Sequence, residues 1–211
     1  MVPSYTPKAA LKTIQCAAVI ALFPFAIHAL PQPSPAAVKV KVEYPVEKDG
    51  QKWIASDSEA RAVYPVPLAS FRAVLEDYTG AVGVIPNLAE VRVESQSDGT
   101  VLLSQRYEIV LAGFRFPTQT TIRMWADLSS LPRLYRLSWS FVSSDGSMAD
   151  SRGFWELEDA SEGGQARTAV RHVGTTLVRK NVIGQDTIMR TFSENEVAKT
   201  IDAIAKAAQK R

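Results

Sequence analysis

Two histidines, His28 and His172, occur in the 211 residues, and only His172 stands clear of the apolar N-terminal run. A lone histidine can serve as a general base. It cannot build the two- or three-histidine zinc sites. No carboxylate cluster has the spacing of a hard-cation site either, so no metal is expected. No serine sits in a nucleophile-elbow motif, which leaves hydrolysis without support. Gly163-Gly164 lies between two strand-like stretches and opens no helix, so it is not a phosphate loop. The acid/base set the residues allow is His172 with Asp77 or Tyr135. A plain strand histidine is the expected reading, with no catalytic residue and no cofactor. Cys16 is the only cysteine and lies inside the N-terminal run, which excludes disulfides and cysteine catalysis from the rest.

The sharper candidates are polar residues set among apolar ones at period two. Over 101–111 the odd positions are Leu103, Gln105, Tyr107, Ile109 and Leu111. Over 134–143 they are Tyr135, Leu137, Trp139 and Phe141, and Trp155 shares a face with Gly153 and Leu157. Gln105, Tyr107 and Tyr135 would each need a hydrogen-bond partner once buried, and a ligand head group, the backbone or water could supply it. Arg106, Arg136, Arg152 and Arg171 alternate with Glu108, Asp150 and Glu156 and read as a solvated outer face. The facing of His172 is ambiguous, because Val170 and Val173 flank it at opposite parities.

Eight strand-like stretches and two helical ones must position these residues. Strands are expected over 38–43, 53–64, 88–97, 101–111, 118–127, 134–143, 148–158 and 165–176. Asp49-Gly50, Asp98-Gly99 and Asp145-Gly146 supply turns between them. Leu68, Phe71, Val74 and Leu75 have helical spacing over 68–77, after Pro65 and Pro67 stop the second strand. A second helix is expected over 185–210, with Ile188, Phe192, Val197, Ile201, Ile204 and Ala208 on one face. Ser193 and Glu196 would alternatively form a capping box that starts a separate last helix. This is an α+β pattern: a curved antiparallel sheet wrapped around a long C-terminal helix. Ile188 and Phe192 would face the sheet. Phe114-Arg115-Phe116-Pro117 reads as an apolar hairpin tip.

Residues 1–29 have the build of a secretory signal peptide. Lys8 and Lys12 precede the apolar run 17–27, and Ala29 offers a small residue for cleavage. Residues 30–37, with Pro31, Pro33 and Pro35, read as an extended linker, and 38–211 as one ligand-binding domain. Removing 1–29 takes two lysines and no acid, so the net charge of +2 vanishes. A neutral chain without basic runs argues against nucleic acid as a partner. An exported, cysteine-free domain points to a bacterial periplasm.

The order Val66-Pro67, Phe71, Val74-Leu75-Glu76-Asp77-Tyr78, Pro86, then Gly153-Phe154-Trp155-Glu156-Leu157 and a closing helix resembles the START-like superfamily. That group is also called the polyketide cyclase/dehydrase (SRPBCC) group. The resemblance looks closest to its coenzyme-Q-binding branch. It implies a helix-grip fold with a hydrophobic cavity, and hence a protein that binds or carries a lipid, quinone or other isoprenoid. The expected ligand contacts are Leu103, Gln105, Tyr107, Ile109, Tyr135, Leu137, Trp139, Phe141, Trp155, Ile188 and Phe192. Two alternatives stand beside this one. One is a cyclase/dehydratase-type enzyme in the same cavity. The other is a protein- or membrane-docking domain that uses the 114–117 tip, through transient membrane contact. A monomer is expected.

Overall fold

The computed structural model describes residues 37–111, 114–180 and 184–211, apart from the side chains of Leu111, Phe114, Phe116, Ile188, Arg190, Thr191 and Phe192. The expected signal peptide, most of the linker and the apolar centre of the 114–117 tip therefore lie outside the described residues.

The strands are β1 (Ala37–Lys48), β2 (Gln51–Tyr64), β3 (Leu88–Ser97), β4 (Thr100–Leu111), β5 (Phe114–Asp127), β6 (Leu134–Ser144), β7 (Met148–Asp159) and β8 (Thr168–Arg179). Helix α1 (Leu68–Leu75) lies between β2 and β3, and α2 (Gln185–Ala208) follows β8. All eight strands form one sheet in the order β1-β2-β8-β7-β6-β5-β4-β3, and every neighbouring pair is antiparallel. The chain crosses once, from β2 through α1 to the far edge at β3, and otherwise meanders.

Local chemistry sets these elements. Asp49-Gly50 and Asp98-Gly99 turn the β1–β2 and β3–β4 hairpins with φ of 53° and 72°, and of 49° and 71°. Two successive positive φ values are the mark of a type I′ turn, which matches strand twist and suits Asp-Gly. Pro67 caps α1 in extended conformation, and its fixed φ ends β2 and opens the helix. α2 is one continuous helix. Ser193 and Glu196 thus sit within it rather than at a cap. The Glu196 carboxylate instead accepts a hydrogen bond from Asn87 Nδ2 at 2.6 Å. β5 begins four residues earlier than the sequence pattern suggests, since residues 114–117 pair with 108–111 of β4.

The core lies between the concave sheet face and the two helices. Phe71, Leu103, Leu137, Leu157, Ile201 and Ile204 are all but fully enclosed. Two phenols tie the layers together. Tyr64 Oη donates to Asp202 of α2 at 2.6 Å, and Tyr135 Oη donates to Glu76 at the end of α1 at 3.1 Å. The last residue closes the frame: the Arg211 guanidinium donates to Ala73 O at 2.8 Å and pairs with Asp77. That pairing holds the Asp77 carboxyl below its usual range. The arginine ladder is on the convex face. Arg152 meets Asp150 at 2.8 Å, Arg171 meets Glu59 at 3.0 Å, and Arg136 lies 3.7 Å over the Phe154 ring.

Candidate functional site: an interior cavity

Between the sheet and α2 lies a cavity of about 430 Å³, within the range of small-molecule sites. Its walls come from both layers. β4 supplies Leu103, Gln105, Tyr107 and Ile109; β5 supplies Thr120, Ile122 and Met124. β6 gives Leu137 and Trp139, β7 Ser151 and Trp155, and β8 His172, Gly174 and Thr176. Ser56 and Ser58 close it from β2. Met189, Val197 and Ile204 of α2 cover it with Tyr78, Val84, Ile85 and Pro86 of the loop after α1.

Seven of the expected contacts therefore share one wall system: Leu103, Gln105, Tyr107, Ile109, Leu137, Trp139 and Trp155. The strict alternation of β4 brings its four into one row. Two of the expected contacts do not line the space. Tyr135 is fully buried beneath the end of α1, where Glu76 accepts a hydrogen bond from its hydroxyl and the Arg72 guanidinium lies 5.3 Å from its ring. Burial and that carboxylate raise its pKa, so it is a neutral structural donor. Phe141 pairs with Ile122 and shares its face of the sheet, but it stands beyond the residues that line the space. The side chains of Ile188 and Phe192 lie outside the described residues. A Tyr135→Phe variant is expected to lose about 2 kcal/mol of stability, the scale of a hydrogen bond to a charged group. Denaturant titration measures that loss, and ligand retention should be unchanged.

His172 faces inward. The even positions of β8 (Thr168, Val170, Gly174) are buried, while Arg171 reaches outward to Glu59 and Glu156. Its ring stacks on Trp139 at 5.5 Å and 24°, and meets Trp155 at 4.4 Å and 59°. Burial pushes the imidazole down to about 4, so it is neutral at physiological pH. Burial likewise pushes the Tyr107 phenol up to about 12, leaving a neutral hydroxyl. Among the described residues no group of three metal-ligating side chains comes together. The cavity is thus mostly apolar, with a few neutral polar groups and two charged residues, Arg179 and Glu196, on its lining.

No family model matches the chain, and no curated protein does. Solved structures do match. The Zhui aromatase/cyclase from Streptomyces sp. R1128 superposes with a TM-score of 0.60 at 13% identity, over 74% of this chain and 95% of that one. The STAR-related lipid transfer protein from Xanthomonas axonopodis gives 0.56 at 9% identity, over 80% and 98%. Human StAR-related lipid transfer protein 5 gives 0.59 at 8% identity, over 80% and 86%. The fold is START-like. In this START-like chain the sheet and α2 form the grip, and the cavity lies where the two meet. At such low identity the likeness is one of fold, and the function has to be argued from the site.

Proposed function

We propose that this START-like chain binds or carries a hydrophobic small molecule, a lipid, quinone or other isoprenoid, in its interior cavity. The observation that carries the reading is the cavity itself: about 430 Å³, walled mostly by apolar side chains from five strands, α2 and the loop after α1. Burial of apolar surface would drive binding at roughly 25 cal/mol per Å², less the cost of ordering. The START-like neighbours named for lipid transfer support the same reading. The 80–86 loop and α2 would form the gate, held by the 2.6 Å Asn87–Glu196 hydrogen bond. The signal-like residues 1–29 add export, to a bacterial periplasm, to this proposal.

Native mass spectrometry of the purified full-length chain, followed by organic extraction, tests it. A stoichiometric apolar adduct is the expected result, and a clean apo mass counts against it. Trp139 projects from β6 into the cavity and stacks on His172. Trp139→Ala is expected to weaken retention of the extracted molecule by about tenfold, or ~1.4 kcal/mol. Unchanged retention in a folded variant would remove Trp139 from the binding wall.

An acid/base enzyme in the same cavity has one observation in its favour, the inward His172. Against it, among the described residues no hydrogen bond links that imidazole to a carboxylate or a tyrosine, and a group with a pKa of about 4 is a weak base at pH 7.

A further inference from the structure

His172 sits between two indoles. Trp139 and Trp155 fix its ring plane from two sides. Gly174, next in the inward row, leaves room beside the ring; a Cβ there would stand 3.3 Å from His172 Cε1. Nδ1 is shut off from solvent and meets no hydrogen-bond partner among the described residues. The neutral ring carries one proton. Placed on Nδ1, that proton would be a dry and unmet donor, at the full desolvation cost of an N–H. Placed on Nε2, it leaves only a lone pair dry and turns an N–H toward the cavity.

The neighbouring polar groups do not meet it. Ser58 Oγ donates to Gly174 O at 3.3 Å, Thr120 Oγ1 to Ser143 O at 3.1 Å, and Trp139 Nε1 to Ser151 Oγ at 3.3 Å. Charged groups on the lining are engaged elsewhere. The Glu196 carboxylate accepts from Asn87 and Lys199, and the Arg179 guanidinium reaches Gln51. Gln105 and Tyr107 can each donate or accept, whereas Nε2–H can only donate.

We infer that the cavity selects a ligand whose acceptor oxygen, a carbonyl or an ether, receives a hydrogen bond from His172 Nε2–H. This rests on the proposed container function and narrows it: a pure hydrocarbon leaves the donor unpaired.

The test uses the full-length chain with two flat probes of like size, fluorene and 9-fluorenone, titrated by quenching of tryptophan fluorescence. The readout is the ratio of their dissociation constants in wild type against His172→Phe, so that their different solubilities cancel. The ratio favouring fluorenone is expected to fall by about 5- to 10-fold in the variant, the scale of one hydrogen bond. In wild type, the imidazole Nε2–H proton should shift with fluorenone and stay put with fluorene, a readout that needs no variant to fold. Equal ratios with an unmoved Nε2–H signal overturn this inference and leave the container reading standing. If neither neutral probe binds, the container reading falls, and this inference with it.

Discussion

Acidification from pH 7 to pH 4 is expected to cost the wild-type protein about 3 kcal/mol that a His172→Phe variant keeps. Burial holds the folded imidazole at about 4 against an ordinary 6.5. Between those values the unfolded chain takes up a proton that the folded chain refuses. Stability therefore falls as pH drops through this window, is unaffected by this group above 6.5, and levels off for it below 4. A gap of about 2.5 pH units at 1.36 kcal/mol each gives the figure. The carboxylates held low in the fold, among them Asp77, Asp145 and Asp159, act in the same direction, but only below their ordinary range near 3.8. The span from 6.5 to about 4.5 thus belongs to His172. Phenylalanine keeps a flat ring between Trp139 and Trp155 and removes the titration. Denaturant midpoints measured at pH 7, 6, 5 and 4 for both proteins decide the matter. Parallel curves would mean that the imidazole is wet or already paired, which would also remove the donor argued for above.

The frame was legible because its signals are local. Eight period-two stretches, Asp-Gly turns and two helical spacings gave every element, and the β4 row of Leu103, Gln105, Tyr107 and Ile109 follows from alternation alone. The site was harder because a face continues past the space it lines. Tyr135 has the same parity as Leu137 and Trp139, yet α1 covers that end of β6, and only tertiary packing says so. Phe141 keeps the face of Leu137 and Trp139 and pairs with Ile122, yet the space ends before it, and alternation cannot say where along a strand a cavity stops. His172 was within reach. Arg171 was already placed on the outer ladder, and period two then sets its neighbour inward. The valines at 170 and 173 masked that step, because Val170 is buried in the core while Val173 is only half-buried on the other face.

Gly153→Ala should be far more damaging than Gly174→Ala, although the two glycines are partners across β7 and β8. A glycine inside a strand weakens it and usually marks a close approach by something else. At Gly153 that something is twofold: a Cβ would fall 2.0 Å from the Val173 carbonyl oxygen and 2.6 Å from the Trp139 indole. A rotamer change can move the indole, but only a shift of backbone can move the carbonyl. Forcing extra volume into such a site costs about 3 kcal/mol or more, which for a domain of this size lowers Tm by roughly 10 °C. At Gly174 the nearest neighbours are His172 Cε1 and Ser58 Oγ, both at 3.3 Å. These are side-chain atoms that can yield by a few tenths of an ångström, so the expected loss is about 1 kcal/mol. Thermal melts of the two variants measure the contrast. Near-UV circular dichroism reports whether Trp139 has moved, and it should change for Gly153→Ala. The site depends on the same atoms, because the bare backbone at Gly153 is what lets the indole lie against the sheet and stack on His172. A displaced indole would occupy cavity volume, so ligand retention should fall together with stability. If Gly153→Ala melts with wild type and keeps its tryptophan signal, then Trp139 does not rest on this glycine, and the wall it forms must be redrawn.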